Sequence, residues 1–198
     1  MEDASKKFKK DIIIAGVGGQ GIVSIASVIG FATLEAKLFF KQSEVHGMSQ
    51  RGGDVQSHFR ISNKPIYSDL IPMGAADIII SVEPLEALRY VNYLQKDGWV
   101  ISNKNPFNNI PNYPDLEKVW NAIEQLSNSL IIDADEEARK LGSSKSANMI
   151  LLGVASHLLG IEFSFLEKGI RTLFGRKGDK IVDINIKCLN RGKELFVK

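Results

Sequence analysis

The order of apolar and polar positions divides the chain into strands and helices that nearly alternate. Asp11 to Ala15 (DIIIA) is a short continuous apolar run ending in glycines, the pattern of a strand covered on both faces in a parallel sheet. Gln20 to Ala36 reads as a helix, so the first unit is strand, glycine turn, helix. Leu38 to Gln42 predicts a second strand. Val55 to Ile61 alternates Val55, Ser57, Phe59 and Ile61 against polar neighbours, as a half-buried strand does, either antiparallel or at an edge. Ala76 to Val82 (ADIIISV) is another apolar strand, followed by Pro84 at a first helical turn and the amphipathic run Leu85, Leu88, Val91, Leu94. Gly98 to Ser102 gives a strand, Asn103 to Pro114 a loop rich in Asn and Pro, Leu116 to Leu126 a helix, and Leu130 to Asp133 a short strand. From Glu136 onward the pattern is helical, with breaks near Gly142 to Ser144, Gly160 and Gly175 to Gly178.

This order predicts an α/β fold: an open, mostly parallel, Rossmann-like sheet with helices on both faces and a helical C-terminal third. A length of 198 residues with 44% apolar content fits one domain over 1–198, with the polar, lysine-rich residues 1–10 as a flexible start. Nothing after Met1 to Lys10 has the form of a secretory signal. Residues 22–40, though apolar, contain Glu35 and Lys37 and follow a glycine turn, which fits a buried helix and strand rather than a membrane span. A cytoplasmic location is the expectation.

Charge and cysteine content narrow the chemistry. The 25 basic and 23 acidic residues nearly cancel, so no global field favours a nucleic acid or an anionic membrane, and any anion site must be local. A single cysteine, Cys188, excludes an internal disulfide and cannot by itself hold a cubane iron–sulfur cluster. His46, His58 and His157 are dispersed without metal-ligand spacing, so no metal site is expected. Neither a G-x-S-x-G elbow nor a phosphate-binding loop ending in Gly-Lys-Ser/Thr is present, which counts against hydrolases.

Gly16-Val17-Gly18-Gly19-Gln20-Gly21 fits G-x-G-x-x-G in the required place between strand and helix. Gly16 permits a tight turn, Gly18 lets a ligand approach the backbone, and Gly21 lets the helix sit close to the strand, while free amides at the helix start favour an anion. A dinucleotide would also need an acidic residue at the end of the second strand. That strand is read as ending in Lys41 and Gln42, with Glu35 inside the helix. A phosphate or an acyl carrier such as coenzyme A fits as well as NAD, and a glycine turn that only packs tightly is a comparable reading.

The second candidate is the polar, glycine-rich run Ser43 to Asp54. Loops at the carboxyl ends of strands line the ligand crevice in an open α/β sheet, so this run is expected to face the glycine loop. Glu44, His46, Gln50, Arg51, Gly52 and Gly53 would then join Gly16, Gly18, Gly19, Gln20 and Gly21 around an anion, with Arg51 the best single donor. The same run would serve equally as a partner-docking surface. Glu83 and Glu86 at a helix start, Arg89 one turn on, and Asn148 as a bonded core amide all have structural explanations, so no residue is assigned as catalytic. The charged turn Arg176 to Lys180 reads as a solvated connection.

Taken together, Gly16 to Gly21, Ser43 to Gly53 (SEVHGMSQRGG), Tyr67-Ser68 with Leu70-Ile71-Pro72, and Glu83 to Arg89 (EPLEALR) resemble the gamma-type domain of 2-oxoacid:ferredoxin oxidoreductases. The likeness extends to Ala147-Asn148-Met149, Leu152-Gly153 and Asn185 to Gly192, and within the family it is to the beta subunit of the indolepyruvate enzymes. The resemblance implies a small subunit, inactive alone, of a complex that decarboxylates an aryl 2-oxoacid and yields acyl-coenzyme A, CO2 and reduced ferredoxin. It places thiamine diphosphate, magnesium and the iron–sulfur clusters on a larger partner subunit and leaves the glycine loops either to contact coenzyme A or to complete the partner's active site. No Gly-Asp-Gly precedes Asn108-Asn109, so a thiamine–magnesium motif is missing here. The alternatives are a free-standing dinucleotide-binding dehydrogenase and a noncatalytic binding module, and an isolated chain is expected to be able to form homodimers.

Overall fold

The computed structural model describes residues 8–47, 52–108 and 110–196. Its strands are β1 (Lys9–Val17), β2 (Phe39–His46), β3 (Asp54–Ser62), β4 (Ala76–Ser81), β5 (Leu94–Asn103) and β6 (Ser129–Ile132), joined in one sheet in the order β2-β3-β1-β4-β5-β6. The helices are α1 (Ile22–Glu35), α2 (Pro84–Arg89), α3 (Leu116–Glu124), α4 (Ala134–Lys140), α5 (Ala147–Leu159), α6 (Phe163–Phe174) and α7 (Asp179–Leu195). β1, β4, β5 and β6 pair in parallel, whereas β3 runs antiparallel to both β1 and β2.

The period of two in β1 distributes its side chains between two cores. Ile12 and Ile14 pack with residues of α1 and α4 to α7, while Ile13 and Ala15 pack with residues of α2 and α3 on the other face. Helices therefore cover both faces, and the whole C-terminal third joins α1 on one of them. α5 and α7 touch backbone to backbone: a Cβ on Gly153 would lie 2.1 Å from the Leu189 carbonyl oxygen, and one on Gly192 2.0 Å from that of Ile150.

Two local expectations are corrected. β2 runs on to His46, so Ser43 to His46 are strand residues rather than loop. β3 is the antiparallel strand that its alternation allowed, and it lies inside the sheet with β2 at the edge beside it. The helix after β4 ends at Arg89, because Leu94 is drawn into β5 opposite Ala76 with a register shift before Ile78. Smaller differences concern ends: α1 begins at Ile22 because Gly21 is left-handed at φ 84°, and Asp133 caps α4 instead of closing β6.

Between β3 and β4 the backbone is clamped to the sheet. Arg60 donates to the carbonyls of Ser68 (3.0 Å) and Leu70 (2.9 Å), and the Ile71 amide donates to Nδ1 of buried His58 (3.0 Å). Arg60 is itself held by Asp11, which is fully buried, at 2.8 Å. The side chains of Tyr67, Leu70 and Met73 nevertheless stand in solvent, 92%, 53% and 73% exposed. Among the described residues, no helix is long and apolar enough to cross a membrane.

Candidate functional site

The glycine loop and the carboxyl ends of β4 and β5 open onto a cleft of about 1030 Å3. Gly19, Gln20 and Gly21 form one part of its lining, Val82, Asn103 and Phe107 another. The rest comes from the C-terminal third: the serine-rich segment Ser143 to Ser146, the start of α5 with Asn148, and Lys177, Lys180 and Asn185 around the start of α7.

Each part is fixed by bonds that its sequence makes possible. The Gln20 side chain turns back to accept the Val17 amide at 2.8 Å, which shapes the turn. Gly19 and Gly21 have φ of 102° and 84°, the left-handed region that favours glycine. A Cβ on Gly21 would fall 2.4 Å from the Asn148 amide nitrogen, so the close approach here is to α5, not to the strand that the motif led us to expect. Asn148 donates to the Gly21 carbonyl at 3.1 Å, making it both a satisfied amide and a cleft residue. Asn103 donates to the Val82 carbonyl (3.3 Å) and to Asp135 (2.8 Å), tying β4, β5 and α4 together beneath the cleft.

The electrostatics favour an anion. α1, α5 and α7 all begin at this cleft, and the amide dipoles of a helix start attract negative charge. Lys145, Lys177 and Lys180 add full positive charges to the lining, against one carboxylate, Asp135, which is already bonded to Asn103 and Asn105. The Arg176 to Lys180 turn is solvent-exposed, as its sequence suggests, and Lys177 and Lys180 within it also line the cleft.

The residues singled out in the sequence are brought together only in part. Gly19, Gln20 and Gly21 line the cleft; Gly16 lies behind the Gln20 side chain, and the Gly18 amide donates to the Gly53 carbonyl at 2.9 Å. The turn after β2 thus meets the glycine loop through Gly53, with Gly52 beside it in the left-handed region at φ 77°. Glu44 and His46 do not line the cleft: they lie on the edge strand, with His46 Nε2 2.6 Å from a Glu44 carboxylate oxygen. Gln50 and Arg51 lie outside the described residues. Sequence reasoning missed Ser143 to Ser146, Lys177 and Lys180; the available signals were a serine-rich turn before a helix and two lysines flanking Gly178.

A second polar network lies around the start of α2. Glu83, 1% exposed, accepts the Glu86 amide at 2.8 Å, the Phe107 amide at 3.4 Å and the Tyr113 hydroxyl. Burial raises the pKa of the Tyr113 hydroxyl, and the Glu83 carboxylate raises it further. Arg89 pairs with Glu86 at 2.9 Å, although burial still raises the Glu86 pKa, and Tyr90 donates to Asp54 at 3.3 Å. Cys188 is buried near Ser146, and burial pushes its thiol up to about 11. No group of three metal-ligating side chains occurs among the described residues.

A mixed Rossmann-like sheet with a glycine-loop cleft closed by C-terminal helices defines the class of protein. Residues 11–195 match the pyruvate ferredoxin/flavodoxin oxidoreductase family, and the chain belongs to it. It is 37% identical over 192 residues to the indolepyruvate oxidoreductase subunit IorB of Pyrococcus horikoshii, covering 92% of this chain and 93% of the relative. In three dimensions it is similar to the pyruvate oxidoreductase subunit PORC of Thermotoga maritima, with a TM-score of 0.73, 22% identity, and coverage of 96% of this chain and 97% of that one. It is also similar to the 2-oxoglutarate:ferredoxin oxidoreductase of Magnetococcus marinus solved with 2-oxoglutarate, coenzyme A and succinyl-CoA bound, with a TM-score of 0.76 and 22% identity. That match covers 97% of this chain but 31% of the other, so there the fold is one part of a much longer polypeptide.

Proposed function

We propose that this chain is the small subunit of a 2-oxoacid:ferredoxin oxidoreductase acting on an aryl 2-oxoacid, indolepyruvate, and that its cleft receives coenzyme A. The single observation that carries the reading is the cleft itself, where a glycine loop, three helix starts and three lysines converge in a chain belonging to this oxidoreductase family. The identity to the indolepyruvate subunit supports the substrate, and the coenzyme A bound in the Magnetococcus enzyme supports the ligand.

The chain's own part is binding and positioning. Lys145, Lys177 and Lys180 meet phosphate oxygens, the amides at the starts of α1 and α5 add dipoles, and Val82, Phe107 and Phe174 offer apolar surface to a less polar arm. The lone cysteine takes no part as a nucleophile: it is buried, and burial pushes its thiol up to about 11. The iron–sulfur clusters are assigned to the larger subunit because one cysteine cannot ligate a cluster, and thiamine diphosphate with magnesium because no Gly-Asp-Gly precedes Asn108-Asn109. Tyr67, Leu70 and Met73, exposed on a clamped backbone, support a subunit role over a free-standing protein. A dehydrogenase reading fares worse, since β3 separates β1 from β2 and leaves Glu44 away from the cleft.

The test is calorimetric titration of coenzyme A into the assembled complex. With Lys177→Ala and Lys180→Ala combined, we expect the Kd to rise about tenfold or more at low salt and its salt dependence to flatten. An unchanged Kd and salt dependence would remove the cleft from the reading.

A further inference from the structure

Glu83 uses more of its carboxylate than a helix cap requires. Asp115 and Asp133 cap α3 and α4 by accepting nearby backbone amides, and Asp115 does so from an exposed position. Glu83, by contrast, is buried, and removing a carboxylate from water is unfavourable unless its oxygens are bonded. Oε2 caps α2 through the Glu86 amide, while Oε1 accepts the Tyr113 hydroxyl and the Phe107 amide. Both of the latter groups belong to the segment between β5 and α3.

That segment is tied at its base as well. The Lys104 carbonyl accepts the Trp120 indole N–H at 2.9 Å, and Asn105 donates to Asp133 at 2.8 Å and Asp135 at 3.0 Å. Phe107 lies between base and clasp and is one of the residues lining the cleft, itself still 41% exposed. From this geometry we infer that Glu83 and Tyr113 are positioning residues: they latch residues 104–108 and 110–114 so that Phe107 stands as a fixed apolar wall of the cleft. Resting on the reading of the cleft as the coenzyme A site, the latch sets how tightly the carrier's less polar arm is held, by removing the loop freedom that binding would otherwise have to restrict.

Tyr113→Phe removes only the latching hydroxyl, and Trp120 reports the segment directly. The chain has 2 tryptophans, so Trp99→Phe leaves Trp120 as its only indole. In that background we expect Tyr113→Phe to increase acrylamide quenching of Trp120 in the ligand-free chain. In the assembled complex it should raise the Kd for coenzyme A by about three- to tenfold. Phe107→Ala should weaken binding to a similar degree, and the double variant should be no weaker than Phe107→Ala alone, because both changes remove one wall.

Additive losses in the double variant, or a Tyr113→Phe complex with wild-type affinity, would overturn the latch. If the wild-type complex binds no coenzyme A, the cleft reading and the carrier role of the latch fall together. The quenching result then decides whether Glu83 and Tyr113 hold the segment at all, and unchanged quenching rules that out.

Discussion

Asn148, in the first turn of α5, donates its side-chain amide to the carbonyl of Gly21 at the head of α1, 3.1 Å away and 127 residues distant in sequence. This bond joins the glycine loop to the C-terminal third, so the cleft exists only when both are folded together. Gly21→Ala should destabilise the chain by about 1–3 kcal/mol, because the position is left-handed at φ 84° and the new Cβ would overlap the Asn148 amide. Asn148→Ala should cost about 0.5–1.5 kcal/mol on its own. The double variant should lose less than the sum, since Asn148→Ala removes the overlap; urea denaturation of the four proteins measures the coupling.

Much of the frame behind that contact is legible along the chain. Asp11 to Ala15 and Ala76 to Val82 are continuously apolar because both faces of β1 and β4 are covered, and such runs admit few other readings. β2 was read short because an edge strand needs only one neighbour, so Ser43 and Glu44 carry no apolar signal. Leu94 fitted the helical spacing of Leu85, Leu88 and Val91, yet pairing with Ala76 outweighed that local period. In the site, Gly19 to Gly21 were visible because the motif is local. Lys177 and Lys180 were not, since a lysine beside a glycine looks like a solvated turn until α7 is packed against α5.

His58 should make stability depend on pH. Burial, and then the charge of Arg60, lowers its pKa from 6.5, and Nδ1 accepts the Ile71 amide, a bond that a doubly protonated ring could not accept. Between the lowered folded pKa and the ordinary value, the unfolded chain binds a proton that the folded chain does not. His58 therefore favours the fold above that window, and this contribution is lost as the pH falls through it. Denaturation free energies should decline from pH 7 to pH 5 by up to about 1.4 kcal/mol per pH unit. His58→Gln should flatten that slope.

Cys188 should be chemically silent in the native protein. Its thiol is fully buried and pushed up to about 11, so the reactive thiolate is scarce near neutral pH. Mixing with an aromatic disulfide reagent should label no thiol in buffer and one per chain in denaturant. Fast labelling of the native chain would show that α7 opens readily from α5.

The central claim is that this chain works as a subunit, and reconstitution reads it directly. The larger catalytic subunit from the same genome is purified with and without this chain and assayed for ferredoxin reduction with indolepyruvate and coenzyme A. We expect the two chains to copurify and ferredoxin to be reduced only when both are present. Full activity of the larger subunit alone, or failure of the two chains to associate, would contradict the account.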